Sequence, residues 1–433
     1  MKYSRESIAP DVYLTCLRTD KFKSGCLSVS FVTQLTRETA AQNALLPRVL
    51  RRGSAKYPDM EILAAVLDDY YGARLEPTVR KKGELHIIGM YADFVDDSFI
   101  PGETKLLESV SSLMTELLLH PNLRAGQLLP EYVDSEREKQ LEQIRGRINE
   151  KRSYATERLI ELMCGGEDYA VHRLGGESEA EAIDSEELTR SYRNLLETSP
   201  VEIFYCGMAE PERVKAALAT FTRELPRGAV NEELGTAIRM NTLEETPRYF
   251  TEEMDVTQGK LSIGFRLGDS MDEFDFAAIR VMNALYGGSV TSKLFMNVRE
   301  RLSLAYYASS SIDLHKGVML VSSGIEFDKY DDALSEIMAQ LDAVRGGTVT
   351  EEEIEAARKY VASSARTVVD SPGALEEYYL GQHIQGLSFL PEELAEMAEA
   401  VTIEDVVDIA NCIECDAVYF LRGQSEVSDG EVV

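Results

Sequence analysis

The chain has 433 residues, 44% of them hydrophobic, more than one compact core ordinarily organises, so at least two globular domains are expected. Lys and Arg total 45 against 75 Asp and Glu, a formal net charge of -30. Such a surplus repels phosphate backbones and anionic lipid, which argues against nucleic acid and membrane surfaces as partners, while a solvated acidic surface keeps the chain soluble.

Met1 to Leu14 alternates charged and apolar residues and lacks the unbroken apolar stretch of a secretory signal. No later stretch approaches the roughly 18 consecutive apolar residues of a membrane-crossing helix. Cys16, Cys26, Cys164, Cys206, Cys412 and Cys415 are thinly spread, as expected of reduced, packed thiols and not of a disulfide scaffold. The expected compartment is the cytoplasm. Cys412-Ile-Glu-Cys415 has CxxC spacing, but a structural zinc site wants a second such pair and a redox site wants a thioredoxin-like context. Two ordinary packed cysteines are expected there.

In chain order, the run Ser24 to Phe31 alternates like a strand with one face buried, and Ala41 to Leu50 has helical apolar spacing ending in a Gly53-Ser54 turn. An apolar strand, Leu85 to Met90, follows Lys82-Gly83, and helices are expected over Leu106 to Leu119 and Glu131 to Cys164. Pro226 to Pro247 contains two glycines and few large apolar residues, a composition suited to a linker. Beyond it come a strand at Gln258 to Phe265, a helix at Phe276 to Leu285 with Gly288-Ser289 after it, and a strand at Val318 to Val321. Helices over Tyr330 to Val344, Glu351 to Val368 and Ile403 to Ala410 precede a strand, Ala417 to Leu421. Gln424 to Val433 reads as a frayed tail.

The two halves match one another. Ser24-Gly-Cys-Leu-Ser-Val-Ser-Phe31 aligns with Gln258-Gly-Lys-Leu-Ser-Ile-Gly-Phe265 at a shift of 234 positions, and Lys82-Gly83 aligns with Lys316-Gly317 at the same shift. The expected architecture is therefore α+β: two homologous domains, each an antiparallel-rich sheet packed with helices, facing each other as a clamshell. The expected limits are residues 1–225 and 248–433, joined by a linker at 226–247.

A duplicated domain with a strand, a helix and a Gly-Ser turn in each copy resembles the pitrilysin/insulinase metallopeptidases, the inverzincins, over nearly the whole chain. In active members the first-domain helix carries H-x-x-E-H just before that turn, and a Lys-Tyr-Pro-like segment follows it. Here Lys56-Tyr57-Pro58 follows, but the motif falls on Ala44-Leu45-Leu46-Pro47-Arg48. Two imidazoles one helical turn apart grip zinc and the intervening carboxylate activates its water, so Ala44, Pro47 and Arg48 cannot do this work. Arg48 puts a permanent cation where the metal belongs. None of His86, His120, His172, His315 and His383 has an i+4 histidine partner. The resemblance places the family's third ligand on Glu136; the bland reading makes it a solvated helix carboxylate paired with Arg137, Lys139 or a basic residue one turn away, and otherwise it is expected to be ancestral or to pair with Arg48.

The second half keeps what the first has lost. Family members hold the substrate backbone with an arginine and a tyrosine seven residues apart, and the resemblance places these on Arg299 and Tyr306. A guanidinium at a helix end and a phenol on a strand can both donate to a peptide carbonyl and to the oxyanion formed when water attacks it. The bland reading makes Arg299 a solvated helix-end residue and Tyr306 a packing residue beside Tyr307. Tyr286 to Lys293 does not satisfy G-x-x-x-x-G-K-[ST], so no nucleotide is expected. His172 matches a family loop in which the histidine is not a metal ligand, and is expected to be structural.

The resemblance implies a zinc-less subunit of the mitochondrial-processing-peptidase-like branch. Among bacterial members it leans to the proteins associated with aminopentanol modification of elongation factor P. Such a chain binds no cofactor itself. Zinc is expected in a paralogous H-x-x-E-H partner, and a peptide or unfolded protein is the substrate, added as a strand to a sheet edge. The alternative is a catalytically inactive binding or scaffold protein, such as a homodimer.

Overall fold

The computed structural model describes residues 1–102, 104–231, 233–268 and 276–424; most of the expected C-terminal tail, residues 425–433, lies outside them. The chain divides into two compact units. The first comprises Met1–Gly146, Val171–Thr236 and Val368–Ser388, and the second Arg147–Ala170, Ala237–Thr367 and Phe389–Val433. Neither is continuous. Each takes one helix-bearing segment from the other half of the sequence, an exchange that a division at 1–225 and 248–433 does not contain.

The first unit is built on strands β1 (Lys2–Ala9), β2 (Val12–Arg18), β3 (Ser24–Gln34), β4 (Arg74–Lys82) and β5 (Leu85–Val95). After a short hairpin of β6 (Leu123–Arg124) and β7 (Gln127–Leu128) comes β8 (Val201–Gly207). The second unit has β9 (Arg248–Met254), β10 (Gly259–Arg266), β11 (Ala305–Asp313), β12 (Val318–Ile325) and β13 (Glu414–Gly423). The sheet orders are β1-β2-β8-β3-β5-β4 and β11-β12-β10-β13-β9.

Without β1, the first order read backwards matches the second strand for strand. β3 pairs antiparallel with β5 and β8 while β2 pairs parallel with β8, and β10, β12, β13 and β9 repeat this pattern. The sequence repeat is thus a repeat of sheet topology.

The expectation of one buried face on the central strands is corrected. On β3, Leu27, Val29 and Phe31 enter the main core with Leu45, Leu46 and Val49 of the helix Arg37–Leu50. The alternate residue Cys26 packs with Leu375 and Tyr379 of the helix Pro372–Ile384, and the Ser28 hydroxyl donates to buried Glu376 at 3.0 Å. In the second unit the helix Lys151–Met163 covers the equivalent face, with Leu159 and Met163 lying against the α-carbon of Gly264. Serine and glycine at the alternate positions are therefore not a solvated face; their small size lets a helix from the other half of the sequence approach the strand.

The helix-rich stretch expected over Glu131 to Cys164 consists of two helices, Pro130–Gly146 and Lys151–Met163, with a 3₁₀ turn at Arg147–Asn149. The break follows Gly146, where the chain leaves one unit for the other. A glycine is a poor helix residue, which makes the position a low-cost place to break.

Candidate functional site

The helix Arg37–Leu50 starts at Thr36, whose hydroxyl accepts from the Thr39 amide at 3.3 Å. Its apolar face sinks Ala44, Leu45 and Leu46 completely into the core. Pro47 lies inside the helix and, having no amide hydrogen, removes one bond of the backbone ladder. The Gly53-Ser54 turn then closes: the Ser54 amide donates to the Tyr57 carbonyl at 2.7 Å, and the Ser54 hydroxyl accepts from the amides of Lys56 and Tyr57.

Of the three positions to which the metal ligands map, two share a cleft. Arg48 and Glu136, the latter on the helix Pro130–Gly146, both line a cavity of about 590 Å³. Ala44 is buried and offers no donor atom. The expected Arg48–Glu136 ion pair is corrected: Glu136 accepts from Arg52 at 3.1 Å and from Lys139 at 2.7 Å, while Arg48 donates to the Gln143 side chain at 2.6 Å. Arg52 also lies over the Tyr132 ring, 5.0 Å from its centre.

Burial holds the Arg48 guanidinium below its ordinary range; nearby Glu136 opposes this and Arg173 adds to it. Burial does the same to Arg51, which donates to the Leu75 carbonyl at 2.7 Å.

Arg173 reaches the cleft from a loop pinned against the first helix. Gln140 donates to the carbonyls of Ala41 and Leu174, and the His172 ring accepts from the Leu174 amide at 3.1 Å. Gly175 has φ +73, and a Cβ there would stand 2.5 Å from the Ala41 amide nitrogen, so only glycine fits.

These residues do not fit zinc. The donors are gone, the Glu136 carboxylate is taken by two cations, and guanidinium groups line the cavity. Among the described residues, no group of three or more His, Cys, Asp or Glu side chains is placed to hold a metal ion. None of the six cysteines forms a disulfide, and burial pushes the Cys415 thiol up to about 12.

The second unit holds the other predicted pair. Arg299 sits on Leu294–Arg301, a helix wound in the wide π form, in which the Leu302 amide reaches back five residues to the Asn297 carbonyl at 3.0 Å. Single π turns of this kind recur at functional sites. The Arg299 guanidinium lies over the Phe295 ring, 4.7 Å from its centre, and 3.5 Å from Glu300. Tyr306 stands on β11, an edge strand, with 59% of its surface exposed. It is not a packing residue. Its hydroxyl donates to Glu326 at 3.1 Å, and this hydrogen bond raises the phenol pKa. Tyr307, its neighbour, is the half-buried one, lying beneath the Arg152 guanidinium at 4.1 Å.

The sequence reading named Lys139 as a possible partner of Glu136 but missed Arg51, Arg52 and Arg173 as parts of the cleft. The first two could have been found, since they lie three and four residues after Arg48 and so near the same helix face. Arg173 had no such signal.

A family model described as the peptidase M16 inactive domain matches residues 182–361. A Bacillus subtilis (strain 168) protein described as "probable inactive metalloprotease YmfF" is 31% identical over 414 residues, covering 95% of this chain and 96% of that protein. The crystal structure of a conserved protein from Enterococcus faecalis V583 superposes with a TM-score of 0.88 at 28% identity, over 98% of this chain and 100% of that one. A peptidase M16 inactive domain from Pseudomonas fluorescens matches with a TM-score of 0.80 over 98% of this chain and 99% of that one; at 14% identity the likeness shows the fold alone.

Proposed function

Because this chain belongs to the M16 peptidase family, as an inactive member with arginine at a position where the H-x-x-E-H motif of active members would place a histidine, we propose that it is the zinc-less subunit of a two-subunit peptidase. A paralogous partner with an intact H-x-x-E-H helix would carry the bond-breaking chemistry. This chain would hold the substrate: Arg299 and Tyr306 would donate to the carbonyl under attack and to the oxyanion that replaces it. The observation that carries the reading is the exposure of both donor groups where a π-wound helix runs into an edge strand. An edge strand also offers unpaired backbone groups to an extended peptide.

The test is co-purification from the native source, followed by peptidase assays on any complex recovered. Arg299→Ala and Tyr306→Phe should each lower kcat by roughly 10²- to 10³-fold, the usual loss when one oxyanion donor is removed, and leave the complex intact. Undiminished cleavage in both variants would defeat the reading. Recovery of the chain only as a homodimer without peptidase activity would favour an inactive scaffold instead.

A further inference from the structure

The cleft in the first unit has a charge pattern opposite to that of the molecule. In a chain of formal net charge -30, Arg48, Arg51, Arg52, Lys139 and Arg173 gather around one cavity and, among the described residues that line it, only Glu136 and Glu76 oppose them. Glu136 is already shared by Arg52 and Lys139. Among the described residues, Arg48, Arg51 and Arg173 have no carboxylate within ion-pair distance. Two of these, Arg48 and Arg51, are partly buried.

Keeping unneutralised guanidinium groups together and partly out of water costs free energy, through desolvation and mutual repulsion. A bound anion would offset both terms. The cavity, about 590 Å³, lies within the usual range for small-ligand sites, and Met60, Pro77 and Val79 supply part of an apolar wall. Guanidinium groups present planar forks that match the oxygens of carboxylate or phosphate. Arg48 and Arg173 come from different elements, a helix and a loop, so their forks can converge on one ligand from two directions.

We infer that the cleft at the degenerate metal position is a binding site for a compact, multiply charged oxyanion, a phosphate- or carboxylate-bearing small molecule held chiefly by Arg48 and Arg173. The position has changed the sign of what it holds. This site is independent of Arg299 and Tyr306, and its failure would leave the two-subunit reading untouched.

Isothermal titration calorimetry of the full chain tests the inference, with pyrophosphate and citrate as separate probes at constant ionic strength. Saturable one-site binding of at least one probe is expected, and the probe that binds tells phosphate from carboxylate chemistry. Arg173→Glu changes an exposed loop residue and should weaken that binding at least tenfold. Arg48→Gln should weaken it similarly, whereas Arg366→Ala, on a helix of the second unit paired with Glu392 and Glu399, should not. Circular dichroism melting checks that each variant is folded. Absence of saturable binding by either probe, or binding unchanged in Arg173→Glu, would overturn the assignment.

Discussion

At the residue scale, the chain's histidines show how far burial can move a group from its ordinary chemistry. His86, on β5, is fully buried, and burial pushes its pKa from 6.5 down to about 4. The unfolded chain takes up a proton near 6.5, while the folded chain declines it until about pH 4. The contribution of the neutral ring is therefore complete above the unfolded value and is lost as pH falls through this window, by up to about 3 kcal/mol. Melting temperature measured between pH 7 and 4 should fall more steeply for the wild type than for His86→Leu. Parallel curves would show that His86 does not govern the slope. Glu167, whose carboxylate is held below its usual range as the bonds from Arg266 and Lys316 outweigh burial, adds acid sensitivity of the same sign. The comparison with the variant separates the two.

At the scale of elements, the cleft depends on how one loop seats against one helix. Gly175 allows the loop carrying His172 and Arg173 to touch the helix Arg37–Leu50 at Ala41, and Gln140 ties both together from a third element. Gly175→Ala adds a methyl group into the Ala41 backbone at a positive φ, so it should cost at least about 2 kcal/mol in urea unfolding. It should also weaken anion binding, because Arg173 rides on the displaced loop. An unchanged unfolding midpoint would show that the loop yields without loss. The Gly53-Ser54 turn, the helix before it and the strand β3 were legible in the sequence, since each rests on local spacing. The break at Gly146 was not, because the helical pattern of Glu131 to Cys164 continues on both sides and only tertiary packing ends one helix and starts the next.

For the whole molecule, the exchange of segments makes each unit dependent on the other half of the sequence. Leu375 and Tyr379 are buried in the first unit, against Leu17, Cys26, Phe204 and Cys206. Arg80 pairs there with Glu376 at 2.7 Å. Residues 1–247 expressed alone would leave that face of the sheet bare and Arg80 without its partner, so the fragment should lack a cooperative thermal transition. Co-expression with 248–433 should restore a soluble complex that melts as one. A sharp, independent transition of the isolated fragment near that of the full chain would contradict this. The two-subunit reading belongs to the same scale: no helix among the described residues is long and apolar enough to cross a membrane, and the proposed partner is a protein.

The sequence by itself determined the family, the duplication and the loss of the metal ligands. These are statements about residue identity at positions set by local pattern, and Ala44, Pro47 and Arg48 cannot bind zinc in any fold. The family resemblance, not the spacing by itself, marked Arg299 and Tyr306. What only the tertiary structure decided was partnership across distance. Glu136 goes to Arg52 and Lys139 while Arg48 is left to Gln143, and Arg173 joins the same cleft from a separate loop. The small residues of β3 and β10 receive helices from the opposite half of the chain. Charge pairing and close packing depend on which surfaces meet, and that is set by the whole chain's folding and not by spacing along it.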